Sequence, residues 1–77
     1  MKIKKNRSIS ATEVAKKFNI TYHAVNHYTN LGLLTSRERK GNSRFYLESE
    51  VNTRLKKINK LKNEGYPLSV MRKIILP

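Results

Sequence analysis

ISATEVAKKFNITYHAVNHYTNLGLL, residues 9–34, holds two short helical patterns joined by a turn. Ser10 carries a hydroxyl able to accept from the exposed amides of a first helical turn, and Glu13 stands three residues on, where it can reach back to the Ser10 amide. Val14, Ala15 and Phe18 then share one side of the helix, with Ile9 ahead of the cap, while Lys16 and Lys17 project away as a solvated face or as phosphate contacts. Asn19 and Ile20 make the turn, and Thr21 caps a second helix from Tyr22 to about Leu31. Its inward side chains are Val25, Tyr28 or Thr29, and Leu31 or Leu33; its outward set is Tyr22, His23, Asn26 and His27. Gly32 ends this helix in a left-handed cap. Two helices so joined form a helix-turn-helix, a motif that lays its second helix in the major groove of duplex DNA.

The outward face of the second helix suits that role. Asparagine pairs bidentately with adenine, and histidine and tyrosine donate to base acceptors or phosphate oxygens. A merely solvated helix would carry lysine and glutamate instead. His23 and His27 stand four apart, as metal ligands on a helix can, but two imidazoles do not complete a zinc site and the chain has no cysteine. The expectation is therefore no metal and no cofactor, with His27 lending DNA affinity some pH dependence.

Outward from this core, the pattern changes to period two over residues 35–46. A Gly41-Asn42 turn joins two strands, Phe45 is expected to tuck inward, and Arg37, Arg39, Lys40 and Arg44 gather on the outer face. Such a hairpin is a wing that straddles the sugar-phosphate backbone or enters the minor groove, or else a sheet edge protected by charge. Glu48 and Glu50 open the next helix, where negative charge complements the helix end. Val51, Leu55, Ile58 and Leu61 give it an apolar stripe. Gly65 stops it, Tyr66 is expected to pack back, and Pro67 opens a last helix with Leu68, Met71, Ile74 and Ile75 inward. The fold class is thus mainly α: a winged helix-turn-helix of about four helices and a two-stranded β-hairpin.

Composition agrees with a nucleic-acid partner. Seventeen Lys and Arg face five acidic residues, for a net charge of +12 on 77 residues, and such a field draws polyanions. A chain of this length supports one small domain, without a deep substrate cleft. No acidic pair, nucleophile-base set or glycine-rich phosphate loop marks an enzyme. Without cysteine, disulfides are excluded; without a run of about 18 apolar residues, so is a membrane span of the helical kind. The expected location is cytoplasmic, on the nucleoid. Residues 1–8 read as a basic arm and 9–77 as the domain.

The opening ISATEVAKKFNI, the block AVNHYTNLGLL, the wing exit GNSRFYLESEV and the closing LKKINKLKNEGYPLSVMRKII stand in an order and at distances that resemble the DNA-binding domain of MerR-family transcription regulators. The likeness covers nearly the whole chain. It implies a recognition helix in the major groove and a wing on the flanking backbone. Tyr28 and Arg44 match family positions, whereas Asn26 and His27 stand where the family usually has Arg-Tyr, and Tyr22 where proline is common. The preferred site is accordingly expected to differ from that of typical members. Family members continue into a dimerising helix and an effector pocket; this sequence ends at Pro77 without either, so the expectation is DNA binding alone, by a fragment or a small standalone member, with self-association on DNA open and no small-molecule effector. Two alternatives remain: an architectural factor, excisionase-like or for DNA segregation, binding cooperatively to repeats, and a basic RNA-binding protein.

Overall fold

A computed structural model describes residues 7–76. In chain order the elements are β1 (Ser8–Ser10), α1 (Ala11–Lys17), α2 (Tyr22–Asn30), β2 (Glu38–Lys40), β3 (Ser43–Leu47), α3 (Glu48–Asn63) and α4 (Leu68–Ile75). The architecture is the expected winged helix-turn-helix, with one addition. The hairpin gains a third strand: β3 lies between β1 and β2, antiparallel to both. Residues 1–6 of the expected arm lie outside the described residues, and Ser8 belongs to the sheet, paired with Leu47. The Arg7 carbonyl accepts from the Glu48 amide at 2.8 Å, which satisfies a first-turn donor of α3 where no side chain caps that helix.

The helix boundaries follow local chemistry. Ser10 Oγ accepts from the Glu13 amide at 3.2 Å and Glu13 Oε1 from the Ser10 amide at 2.9 Å, a reciprocal capping box. Thr21 Oγ1 accepts from the Ala24 amide at 2.9 Å. At the other end of α2, Gly32 takes φ +82°, with the Leu33 amide donating to the Tyr28 carbonyl and the Gly32 amide to that of Thr29. These paired bonds need a left-handed residue at the cap. In the helix-turn-helix turn Asn19 serves that purpose at φ +56°, and the Ile20 amide returns to the Ala15 carbonyl. A Ser10→Ala variant is expected to lose about 1 kcal/mol of stability, which in a domain of this size lowers the midpoint of thermal unfolding by about 4–8 °C; calorimetry checks it.

The core contains Val14 of α1, Val25 of α2, Leu33, Tyr46 of β3, Val51 and Ile58 of α3 and Met71 of α4, each at most 1% exposed. Tyr46, not Phe45, is the inward aromatic of the wing. The reason is the third strand: Ile9 pairs with Tyr46 across β1 and β3, so the two share a face, and Ile9 is buried against α1. A tyrosine is tolerated there because its hydroxyl meets Thr29 Oγ1 at 2.8 Å. Thr29 itself donates to the Val25 carbonyl, so the Tyr46 hydroxyl is the donor of the pair. Phe45 is half-buried on the opposite face, with the Lys40 ammonium 6.0 Å from its ring centre.

Two apolar side chains near the end also depart from expectation. Tyr66 and Ile74 are 44% and 48% exposed, whereas Met71 and Ile75 are buried. Helix α4 has eight residues and buries only the edge holding Leu68, Met71 and Ile75; Ile74 lies about 100° around the helix from Ile75. The Tyr66 amide does fold back, onto the Leu61 carbonyl at 3.0 Å, but its ring points to solvent.

Candidate nucleic-acid interface

Helix α2 presents one polar arc. Tyr22, His23, Asn26, His27 and Asn30 fall within about 140° of its circumference, opposite Val25 and Tyr28. Tyr22 is 52% exposed; His23, His27 and Asn30 are exposed and Asn26 half-buried. The two imidazoles lie parallel, their planes 3° apart and their centres 6.5 Å apart. Among the described residues no group of three metal-ligating side chains forms. Thr21 gives an oxygen lone pair to its capping bond and keeps its hydroxyl proton for an outside acceptor, beside the positive end of the helix. Tyr28, which matches a family position and was also expected on the inward side, is half-buried against the core on the far flank.

The hairpin stands beside this arc. Tyr22, Asn26 and Asn30 of α2 and Arg39, Asn42 and Arg44 of the wing line one open cleft, with Ala11 at its end. Asn30 and Asn42 were not singled out by sequence. Asn30 stands one turn after Asn26, a spacing that marks it in retrospect; Asn42 was read only as a turn residue. The turn is tight because Gly41 takes φ +60° at its first central position, the pattern of a type II′ hairpin.

The wing cations do not act alike. Arg37 donates to both Glu50 oxygens, Nη2 to Oε2 at 2.5 Å and Nε to Oε1 at 3.3 Å. That hydrogen bonding, and secondarily the carboxylate's charge, raises the Arg37 pKa above its ordinary value. Glu50 also lies 3.6 Å from Arg54, whose Nη1 donates to the Leu33 carbonyl at 3.2 Å. Arg37 is therefore a strut that ties the wing to α3 and, through Arg54, to the exit of α2. Lys40 lies 3.9 Å from Glu38 and over the Phe45 ring. On α1, Lys17 pairs with Glu48, and Lys16 shares with it a separate depression lined by Arg7, Ile9 and Glu13.

Arg39 and Arg44 remain. They are direct cross-strand partners, and neither meets a carboxylate among the described residues. Like charges opposite one another on a sheet are unfavourable. An anion set between two guanidiniums removes the repulsion and gains charge-assisted hydrogen bonds. Beside them, Asn26 and Asn30 offer amide donors and acceptors of the kind that read a base edge. An Asn26→Ala variant is expected to lose about 1–3 kcal/mol of discrimination at one base pair, seen as a relaxed consensus when random duplexes are selected by the variant and by the natural chain.

No helix among the described residues is long and apolar enough to cross a membrane. The family model described as MerR HTH family regulatory protein matches residues 9–76. No curated protein matches the sequence.

Proposed function

The chain belongs to the MerR HTH family of DNA-binding transcription regulators, and from that footing we propose that it reads a specific duplex sequence through α2 while its wing holds the flanking backbone. Tyr22, His23, Asn26, His27 and Asn30 face the major groove. Arg39 and Arg44 take a phosphate beside it, Thr21 donates to a neighbouring one, and Lys16, Lys17, Arg37 and Lys40 add to the attracting field over a longer range. The observation that carries this reading is the pair Arg39 and Arg44: two unneutralised guanidiniums facing each other across a hairpin, next to the amide-bearing face of a helix. The net charge of +12 opposes pairing of protomers in free solution. Duplex phosphates neutralise that charge, so protomers come together on adjacent sites rather than before binding.

Duplex DNA is the favoured partner over RNA for a geometric reason. The major groove of B-form DNA admits an α-helix, whereas that of A-form RNA is deep and too narrow for one. The test is affinity for a selected DNA duplex and for an RNA duplex of the same sequence at one salt concentration. The DNA is expected to bind at least ten times more tightly. Equal affinities would mean that charge alone attracts the ligand and that α2 reads nothing.

A further inference from the structure

On the flank of α2 away from Asn26 and Arg44, Tyr28 joins Phe18 and Ile20 of the helix-turn-helix turn and Leu55 of α3 around a groove of about 120 Å³. Its floor is apolar: Phe18, Ile20 and Tyr28 pack on the core while keeping a half-exposed side. Its rim is polar, made by Asn52, Lys56 and Asn59, which follow one another at spacings of four and three along the outer edge of α3. The space suits one apolar side chain rather than a small-molecule ligand, whose pockets run to about 300–1,000 Å³.

Charge decides what can enter. Lys56 has no carboxylate partner among the described residues, and neither have Lys57 and Lys60 beside it on α3. Four of the five carboxylates are already engaged: Glu13 in the α1 capping box, Glu38 with Lys40, Glu48 with Lys17, and Glu50 with Arg37 and Arg54. A second copy of the chain would bring another +12 and almost no free negative charge to this edge. Duplex phosphates would meet the rim lysine Lys56 but leave the apolar floor of Phe18, Ile20 and Tyr28 uncovered. We propose that this groove docks an acidic protein segment, which inserts one leucine-sized side chain over Phe18, Ile20 and Tyr28 and sets its carboxylates against Lys56 and Lys60. An apolar anchor in a pocket with charges at the rim is the usual division of labour at such contacts. Because the groove and the Arg39–Arg44 cleft lie on different flanks of α2, one protomer can hold DNA and the acidic segment together.

The test is selection from a displayed library of acidic dodecapeptides against the full chain, first free and then with a duplex bound. Selected peptides are expected to share a single apolar residue flanked by Asp or Glu. A synthetic copy should shift the amide resonances of Phe18, Ile20, Tyr28, Asn52, Lys56 and Asn59, lose at least tenfold in affinity when its apolar residue becomes Ala, and lose a similar factor against Lys56→Glu, an exposed change that leaves the core intact. Failure to enrich any peptide would overturn the proposal. So would peptides that bind equally well without the apolar residue, or whose shifts map to Arg39 and Arg44, since both outcomes report bare charge attraction. The free-chain arm contains no DNA, so its result stands apart from that of the duplex comparison.

Discussion

A Tyr46→Ala variant is expected to lose about 3–5 kcal/mol, the usual cost of deleting a fully buried aromatic ring. Small domains fold with a margin of about 5–15 kcal/mol, and a chain of this length sits toward the lower end, so the variant should be close to unfolded at room temperature. The loss is large because the ring is 0% exposed and shares its face of the sheet with Ile9; its removal leaves a cavity between the sheet and the two helices of the helix-turn-helix. Tyr46→Phe separates ring from hydroxyl. It deletes only the donor to Thr29, and Thr29 keeps its bond to Val25. The cost should be about 1 kcal/mol. Urea unfolding of both variants and of Phe45→Ala checks the orientation of β3. Were Phe45→Ala the more damaging of the two alanine changes, the wing would face the core the other way.

The second large effect is on binding. Each of Arg39→Ala and Arg44→Ala should weaken binding to every duplex by about 1.5–3 kcal/mol, the worth of a hydrogen bond to a charged group, or roughly ten- to a hundredfold. Removing both should lower the slope of log affinity against log salt by about 0.9 for each phosphate that the variant leaves unneutralised. Stability should move the other way. Either single change removes a like-charge pair worth about 0.2–1 kcal/mol of repulsion, so thermal unfolding should stay in place or rise slightly as affinity falls. An ordinary fold-damaging substitution would lower both. Arg37→Ala should behave in that ordinary way, because Arg37 is held by Glu50.

The difference between Arg37 and Arg44 marks the limit of what the sequence showed. Both are alternate residues of one basic hairpin, and only the fold brings Glu50, thirteen positions beyond Arg37, to its side. Features set within a few residues were legible: the capping box at Ser10, the Thr21 cap, the left-handed Gly32, and the stripe of Val51, Leu55, Ile58 and Leu61. Strand β1 was not. Its three residues, Ser8 to Ser10, are too few to show alternation, and Ser10 already had a role as a cap. Missing that strand also hid the facing of β3, since pairing of Ile9 with Tyr46 is what turns the tyrosine inward. At the candidate interface, the outward position of Tyr22, His23 and Asn26 followed from helical period. That Asn30 and Asn42 share a cleft with Arg39 and Arg44 depends on how the hairpin leans on α2, which no spacing records.

The ion pair of Lys17 with Glu48 follows the same rule. Two lysines at the end of α1 read alike in sequence, yet one is tied to the first turn of α3 and the other is not. A carboxylate so placed offsets part of the basic field near the sheet. Among the described residues Arg39 and Arg44 of the wing, and Lys56, Lys57 and Lys60 of α3, are left without a carboxylate partner.

The most direct test of α2 and the wing as the reading surface is an amide-resonance titration of the chain with a duplex obtained by selection. Resonances of Tyr22, His23, Asn26, His27 and Asn30, with Arg39 and Arg44, should shift and saturate at one duplex-bound state, while those along the outer edge of α3, from Asn52 to Lys60, stay in place. Shifts concentrated on α3, with α2 unmoved, would contradict the account.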